Sequence, residues 1–533
     1  MNTVGAGLQN SIEGDVYTDA ATRKAVQRDA SIFSLTPKLV VYPKTVADIS
    51  SIVTFAKHSG YSITPRGAGT DMTGGAIGGS IIIDTTRYLT TVREITSSHV
   101  TAEPGTPLRV ITPKLAAAQR QFASAPTSAH TSTFGGMVAN NAGGVYSLQF
   151  GNTNGWVRKM KVVLSDGNEY TLTPLTHAQL KRKMRQDTFE GRIYTQLYEL
   201  IEHNYDTIKN ARPRVPRSNS GYALWDVWDR ESGIFDLTQL FTGSQGTLGI
   251  ITEASVETVS LPAHTATLLA YISSLRSLDV IVQTIMRHAP AAFEGFDESG
   301  FRANSALHTQ LGLASLLKNR TGKGMFFGIE LQASSEEALI QKVGALRHDL
   351  KRVKKVKVDV DPIGAHSTAF WRARRSALAL LRAQAQAFHG APFIDDLAVP
   401  PVALGVVLPK VQSLLRQYAL PASIHSHLGD GVVHIIPIGP VLSKKHRAKL
   451  APLMRDLTTI VKEHGGALSG EHNDGMLRGP WLRAAFGPET YALFVQTKEI
   501  FDPDYIFNPH KKTDASWSYS THHLALPMML DNV

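Results

Sequence analysis

Residues 62–86 read SITPRGAGTDMTGGAIGGSIIIDTT, which places Gly67, Gly69, Gly74, Gly75, Gly78 and Gly79 between two apolar β-type runs. Glycine accepts positive φ and lets backbone amides approach a phosphate closely. In a Rossmann or Walker loop such glycines open a helix. Here a β-run, SIIIDT, follows, so the pattern speaks against a nicotinamide-binding fold. Two further stretches have the same texture: STFGGMVANNAGGVYSLQFG at 132–151 and FTGSQGTLGIIT at 241–252. One such loop would be a structural turn. Three, each beside a strand-like run, point to a long ligand lying along exposed backbone, and a dinucleotide has that size.

The surrounding pattern is α+β. LVVYP (39–43), KVVLSDG (161–167) and GIITEASVETV (249–259) read as strands, and VADISSIVTFAKHSG reads as a helix closed by glycine. After Leu261 the texture becomes strand, long amphipathic helix, strand, as in TATLLAYISS followed by SLDVIVQTIMRH, so a domain boundary is expected near Pro262. TYALFVQTKEIFDPDYIFNPH reads as a late helix stopped by an Asp-Pro turn. A chain of 533 residues exceeds one compact core, and 43% hydrophobic with 19% charged residues is an ordinary globular balance.

Cysteine is absent, which excludes disulfides, thiolate nucleophiles and an iron–sulfur cluster carried by this chain. Any metal must therefore sit on His, Asp or Glu. No secretory signal is visible in MNTVGAGLQNSIEGDVYTD, and no apolar run reaches the roughly 20 residues of a bilayer span. A cytoplasmic protein is expected. The net charge of +10 gathers in KRKMR, RPRVPR, KRVKKVK and KKHRAK, each read as a solvated helix face or loop. Without interleaved aromatics these runs do not suit nucleic acid, while peripheral contact with an acidic inner membrane face stays open. A homodimer is also compatible with the sequence.

At 425–439 the chain reads HSHLGDGVVHIIPIG. His427 and His434 are seven apart, a spacing that would place them on opposite faces of a regular strand, but the Gly429-Asp430-Gly431 turn breaks that strand and lets the rings converge. Downstream, ALSGEHNDGMLRG supplies Glu471 beside His472. Two His and one carboxylate leave coordination positions open, as catalytic metal sites do. The alternative is a set of surface-turn histidines with one structural ion pair. Zinc suits these donors first, with manganese or iron as the other candidates.

PRGAGT with TGG, TFGGMVANNAGG, GSQGTLGIIT, SGEH and IFNPHK together resemble the vanillyl-alcohol-oxidase superfamily with its PCMH-type FAD domain, and within it the FAD-linked D-2-hydroxyacid dehydrogenases. The resemblance implies an FAD-binding domain over 1–262 with its core at about 34–261. It further implies an α+β cap with an antiparallel sheet over 263–480, and a helical segment over 481–533 that packs back on the FAD domain. It assigns Pro65, Arg66, Gly67, Ala68, Gly69, Thr70, Gly74 and Gly75 to the FAD diphosphate. Pro126, Thr133, Gly135, Gly136, Asn140, Asn141 and Gly143 would line the rest of the flavin path, with Gly243, Gly246, Thr247, Ile250, Ile251 and Asn508. Some relatives tether FAD through a His in the first loop; Thr70 and no His stand here, so FAD should be non-covalent.

The resemblance also makes His427, His434 and Glu471 the ligands of a divalent metal, His472 the catalytic base and Arg374 the substrate-carboxylate clamp, with Arg372 and Arg375 as neighbours and Asp395 orienting a ligand. A chelated cation acidifies a hydroxyl, as zinc lowers bound water from about 15.7 to about 7, so that a neutral imidazole near ~6.5 can take the proton. The chain departs from the pattern at Val432-Val433, where relatives have Asn-Leu, and at Asn473, where they have Gly; Asn tolerates a left-handed backbone. Ile394 and Leu378 replace the Lys and Thr of hydroxyglutarate-specific relatives, which favours a D-lactate-like monocarboxylate. The expected activity is oxidation of a D-2-hydroxy acid, with electrons passing to a quinone, cytochrome or flavoprotein. The alternatives are a flavin subunit relaying electrons to an iron–sulfur partner, an oxidase of the same fold acting on D-2-hydroxyglutarate or glycolate, and a metal-dependent hydrolase whose glycine loops are structural.

Overall fold

A computed structural model describes residues 3–298, 324–353, 371, 393–437 and 444–525. The segment 62–86 folds as a parallel β-loop-β pair. Strand Ile63–Arg66 leads through the glycine loop into Ile81–Asp84, which sits in register beside both Ile63–Arg66 and Leu39–Tyr42. Parallel strands need a crossover. Helix Val46–Ser59 makes the crossover from Leu39–Tyr42 to Ile63–Arg66, and the glycine loop makes the next: Thr45 and Asp48 form a capping box at the helix start, and Gly60 at φ 68° ends it. Its buried face, Ile49, Ile52, Val53 and Ala56, carries the three-and-four spacing of the sequence onto the sheet. Asp15–Tyr17 adds a fourth, antiparallel strand.

A second, antiparallel sheet orders its strands Val92–Ile95, His99–Ala102, Ile250–Ser260, Val157–Val163, Glu169–Leu172. Val163 and Ile250 from this sheet join the parallel sheet's core, so the two sheets form one unit. The chain then changes sheet. His264–Ile272 opens a six-stranded antiparallel sheet ordered His264–Ile272, Met325–Ala333, Ala292–Asp297, Ala422–His427, Val432–Pro437, Asp395–Ala398. Helices Leu278–Met286, Glu336–Arg352, Leu404–Gln417 and Lys444–Glu463 cover one face of it through Ile281, Val343, Leu408, Leu453 and their neighbours.

Helix Pro488–Phe501 and the following turn return to the first unit. Phe494 and Phe501 enter the core of the antiparallel sheet, and Phe507 pairs with Ile63 inside the parallel-sheet core. Each such fully buried aromatic contributes roughly 1.5–3 kcal/mol, which fixes the C-terminal segment against the first unit. Arg372, Arg374, Arg375 and Leu378, with most of the helix expected around them, lie outside the described residues. Among the described residues no helix is long and apolar enough to cross a membrane.

Candidate active site

The three glycine loops meet around one cavity of about 690 Å³, within the size range of cofactor sites. Pro65, Arg66, Gly67, Ala68, Gly69, Thr70 and Gly75 line it from the first loop, and Pro126, Thr133, Gly135, Gly136, Asn140 and Gly143 from the second region. Gly246, Ile250 and Ile251 line it from the third. The loops touch so tightly that side chains have no room: a Cβ on Gly67 would stand 2.2 Å from Thr133 Oγ1, and one on Gly246, at φ 67°, 2.3 Å from Pro65 Cγ. The amides of residues 67–70 have no hydrogen-bond partner among the described residues. Bare amides in a glycine cradle fit a diphosphate.

Gly74, Asn141, Thr247 and Asn508 do not line the cavity; they stand behind its walls. Gly74 packs on Phe33 and Met476. The Asn141 amide donates to Asn219, and the Thr247 hydroxyl donates to the Ser244 carbonyl. Asn508 Nδ2 donates to the carbonyls of Gly75 and Gln245, tying the first loop to the third.

The histidine hairpin resolves its own spacing problem. Strands Ala422–His427 and Val432–Pro437 pair with His425 opposite His434 and His427 opposite Val432. A residue shares a face with its cross-strand partner and with residues two away, so His425, His427 and His434 all point to one face. Ile424, Val433 and Ile435 alternate toward the helices. Gly431, at φ 72°, closes the turn where any Cβ would strike the Val399 carbonyl. His425, His427, His434, Glu471 and His472 line the same cavity as the glycine loops.

His427 Nε2 and His434 Nε2 stand 3.2 Å and 3.1 Å from Glu471 Oε1, and His472 Nε2 stands 3.5 Å from it. Behind His427, its Nδ1–H donates to Glu294 Oε1 at 2.6 Å; Glu294 is its register partner on strand Ala292–Asp297. A carboxylate behind a ligating imidazole is the usual support of a metal site, so the donor set and its backing fit a divalent cation. Asp396, opposite His434, accepts through Oδ2 from Ser469 Oγ and from the amides of Glu471 and His472, which holds the 469–472 loop against the six-stranded sheet. Asn473 follows at φ 69°, the left-handed conformation.

Arg217 reverses an expectation: RPRVPR read as a solvated loop, yet Arg217 is 4% exposed. Its Nη1 donates to Glu471 Oε2 at 3.1 Å and its Nη2 lies 3.3 Å from Asp430 Oδ2. Burial favours the neutral form of Glu471, but the charges of His427 and Arg217 outweigh it and hold the carboxyl well below its usual range. For His427, burial works downward, while Glu294 and Glu471 overcome it and push the ring up to about 9. Burial lowers His434. In His472 burial again works downward and the Asp395 carboxylate prevails, so the ring is raised.

Arg217, Glu294 and Asp396 escaped the sequence reading. Their local signals are acidic residues inside an apolar run, as in AAFEGFD and FIDDLAVPP, and an Arg directly before SNSGY. Ile394, whose apolar character entered the substrate reading, packs in the core between the six-stranded sheet and its helices and does not line the cavity.

Fold and cavity together define a flavin-dinucleotide protein of PCMH type. A model described as "FAD binding domain" matches residues 37–173, and one described as "FAD linked oxidases, C-terminal domain" matches 261–512. The chain therefore carries an FAD-binding domain followed by a C-terminal domain of the FAD-linked-oxidase type. Escherichia coli D-2-hydroxyglutarate dehydrogenase is 29% identical over 523 residues, covering 94% of this chain and 51% of its own length. The Bacillus subtilis glycolate oxidase subunit GlcD is 26% identical over 491 residues, covering 89% of this chain and 88% of its own. The chain thus spans about half the length of the D-2-hydroxyglutarate dehydrogenases it matches first. Among solved structures, 4-ethylphenol oxidase from Gulosibacter chungangensis shares the fold at TM-score 0.68, 13% identity and 97% coverage of each chain. An alkyldihydroxyacetonephosphate synthase does so at 0.65 and 15%, over 96% of this chain and 86% of that one.

Proposed function

We propose that this chain oxidises a D-2-hydroxy acid to the 2-oxo acid, using non-covalent FAD and a divalent metal, zinc first among candidates. The observation that carries this reading is that His427, His434, Glu471 and His472 face the cavity walled by the glycine loops. When bound, FAD supplies the two-electron acceptor and the cation the charge that acidifies a chelated hydroxyl. His427 Nε2, His434 Nε2 and Glu471 Oε1 would hold the cation. His472 Nε2, beside them on the cavity wall, takes the hydroxyl proton of a substrate seated there. Arg374 is the proposed carboxylate clamp. Electrons leave for a quinone, cytochrome or flavoprotein, since this chain has no cysteine to hold a cluster.

The residue types at Leu378 and Ile394 put a D-lactate-like monocarboxylate first, although Ile394 does not line the cavity, and the names of the relatives set D-2-hydroxyglutarate and glycolate beside it. The test is anaerobic bleaching of the flavin by D- and L-lactate, glycolate and D-2-hydroxyglutarate. Bleaching by a D acid and its loss in His472→Ala with FAD retained support the reading. Unaltered reduction in that variant rejects His472 as the base, and no reduction by any acid rejects the substrate class.

A further inference from the structure

Strand Asp395–Ala398 pairs with Val432–Pro437 so that Asp396 faces His434 and Asp395 faces Ile435. Ile435 and Leu397 belong to the helix-covered core. Strict alternation would therefore drive the Asp395 carboxylate into an apolar layer. Instead Asp395 sits at φ 53°, a left-handed conformation that disfavours non-glycine residues. This breaks the pleat, and Oδ2 reaches 2.6 Å from His472 Nδ1. The side chain is wholly buried. Its other oxygen, Oδ1, lies 3.9 Å from His434 Nδ1, and neither of these two atoms has a hydrogen-bond partner among the described residues.

A strained backbone and a buried charge both destabilise the fold, and such features persist where the surroundings hold them for a purpose. The consequence here is chemical. Imidazole offers one lone pair when neutral, and the hydrogen bond made by one nitrogen decides which nitrogen keeps it. An ionised carboxylate only accepts. Asp395 therefore keeps a proton on His472 Nδ1 and leaves the Nε2 lone pair toward the cavity, 3.5 Å from Glu471 Oε1.

We propose that Asp395 is a positioning residue that sets the tautomer of His472, so that its Nε2 lone pair faces the cavity. This rests on His472 being the proton acceptor proposed above. The proton lost by the substrate hydroxyl is gained by His472 Nε2; Asp395 stays ionised throughout and exchanges no proton.

Two readouts test it. In the FAD-loaded protein labelled with nitrogen-15 histidine, the His472 Nδ1–H should appear as a far-downfield, exchange-protected proton, absent in His472→Gln and in Asp395→Asn. Asn presents an amide that can donate, so it favours the opposite tautomer. Anaerobic flavin reduction by the best 2-hydroxy acid should slow by about 10²–10⁴-fold in Asp395→Asn, the range of lost base catalysis and of a wrong tautomer. FAD content and substrate affinity should hold, and Asp395→Glu should recover part of the rate. Persistence of the downfield proton in Asp395→Asn, or reduction at the wild-type rate, overturns the proposal. If Asp395→Asn does not fold, Asp395→Glu and His472→Gln decide it, because the signal must survive the first and vanish in the second. If no acid reduces the wild-type flavin, the functional reading falls, while the proton signal still decides the role of Asp395.

Discussion

Replacing Gly246 by Ala tests whether the contact between the first and third glycine loops is what shapes the flavin cavity. Gly246 stands at φ 67°, where an added Cβ would lie 2.3 Å from Pro65 Cγ. Holding alanine in that backbone conformation costs about 1–2 kcal/mol. The steric overlap adds to this, because Pro65 is a rigid ring at the end of strand Ile63–Arg66 and must move by roughly an ångström to reach ordinary contact. Without FAD the loop can relax; with FAD both walls must stand in place, so the strain falls on cofactor affinity. A cost of 1–2 kcal/mol weakens FAD about 5–30-fold, with the overlap pushing toward the upper end. Gly79 is the internal control, since nothing lies within 4 Å of a Cβ there. FAD dissociation constants of the reconstituted apoproteins, read from quenching of flavin fluorescence, should rank wild type and Gly79→Ala together and Gly246→Ala well above them. Equal affinity in all three would refute the placement of FAD against this loop contact.

Glu294→Gln should lower metal affinity by about 10–100-fold, the usual effect of removing a carboxylate behind a ligating imidazole. Competitive chelator titration checks it above pH 9, where the His427 proton no longer competes. Asp396→Asn should loosen the 469–472 loop and speed hydrogen exchange at the Glu471 and His472 amides, read by mass spectrometry. Asp29, on the cavity wall near Asp71, Arg66 and Lys511, is pushed up to about 7 by burial and by the Asp71 carboxylate. An unfolded Asp ionises near 3.8, so this group supports the fold fully below that pH and withdraws its support as pH rises to about 7. Melting of the flavin-free protein should therefore decline between about pH 4 and 7 less in Asp29→Asn than in wild type; parallel profiles would contradict it.

The glycine loops and the histidine hairpin were legible because their signals are local. Gly67, Gly135 and Gly246 declare places where a neighbouring segment leaves no room for a side chain, and a Gly-Asp-Gly turn announces that His427 and His434 fold toward each other. The supporting groups were not legible for the opposite reason. Glu294 reaches His427 only through strand register across 133 residues, and Arg217 reaches Glu471 across 254. Basic residues in a Pro-rich run are usually solvated, so only the buried carboxylates of Asp430 and Glu471 explain why this one is not. Asp395 was noticed, but its reach to His472 depends on a left-handed backbone that no side-chain pattern encodes.

The central claim is that a chelated cation and a proton acceptor share one cavity with the flavin. The most direct measurement is the anaerobic rate of flavin reduction by a D-2-hydroxy acid in FAD-loaded protein stripped of metal by chelator and then resupplied with zinc or manganese. The account predicts loss of reduction on stripping, recovery on resupply, and no response to the L acid. Full-rate reduction by metal-free protein that still holds FAD would contradict it.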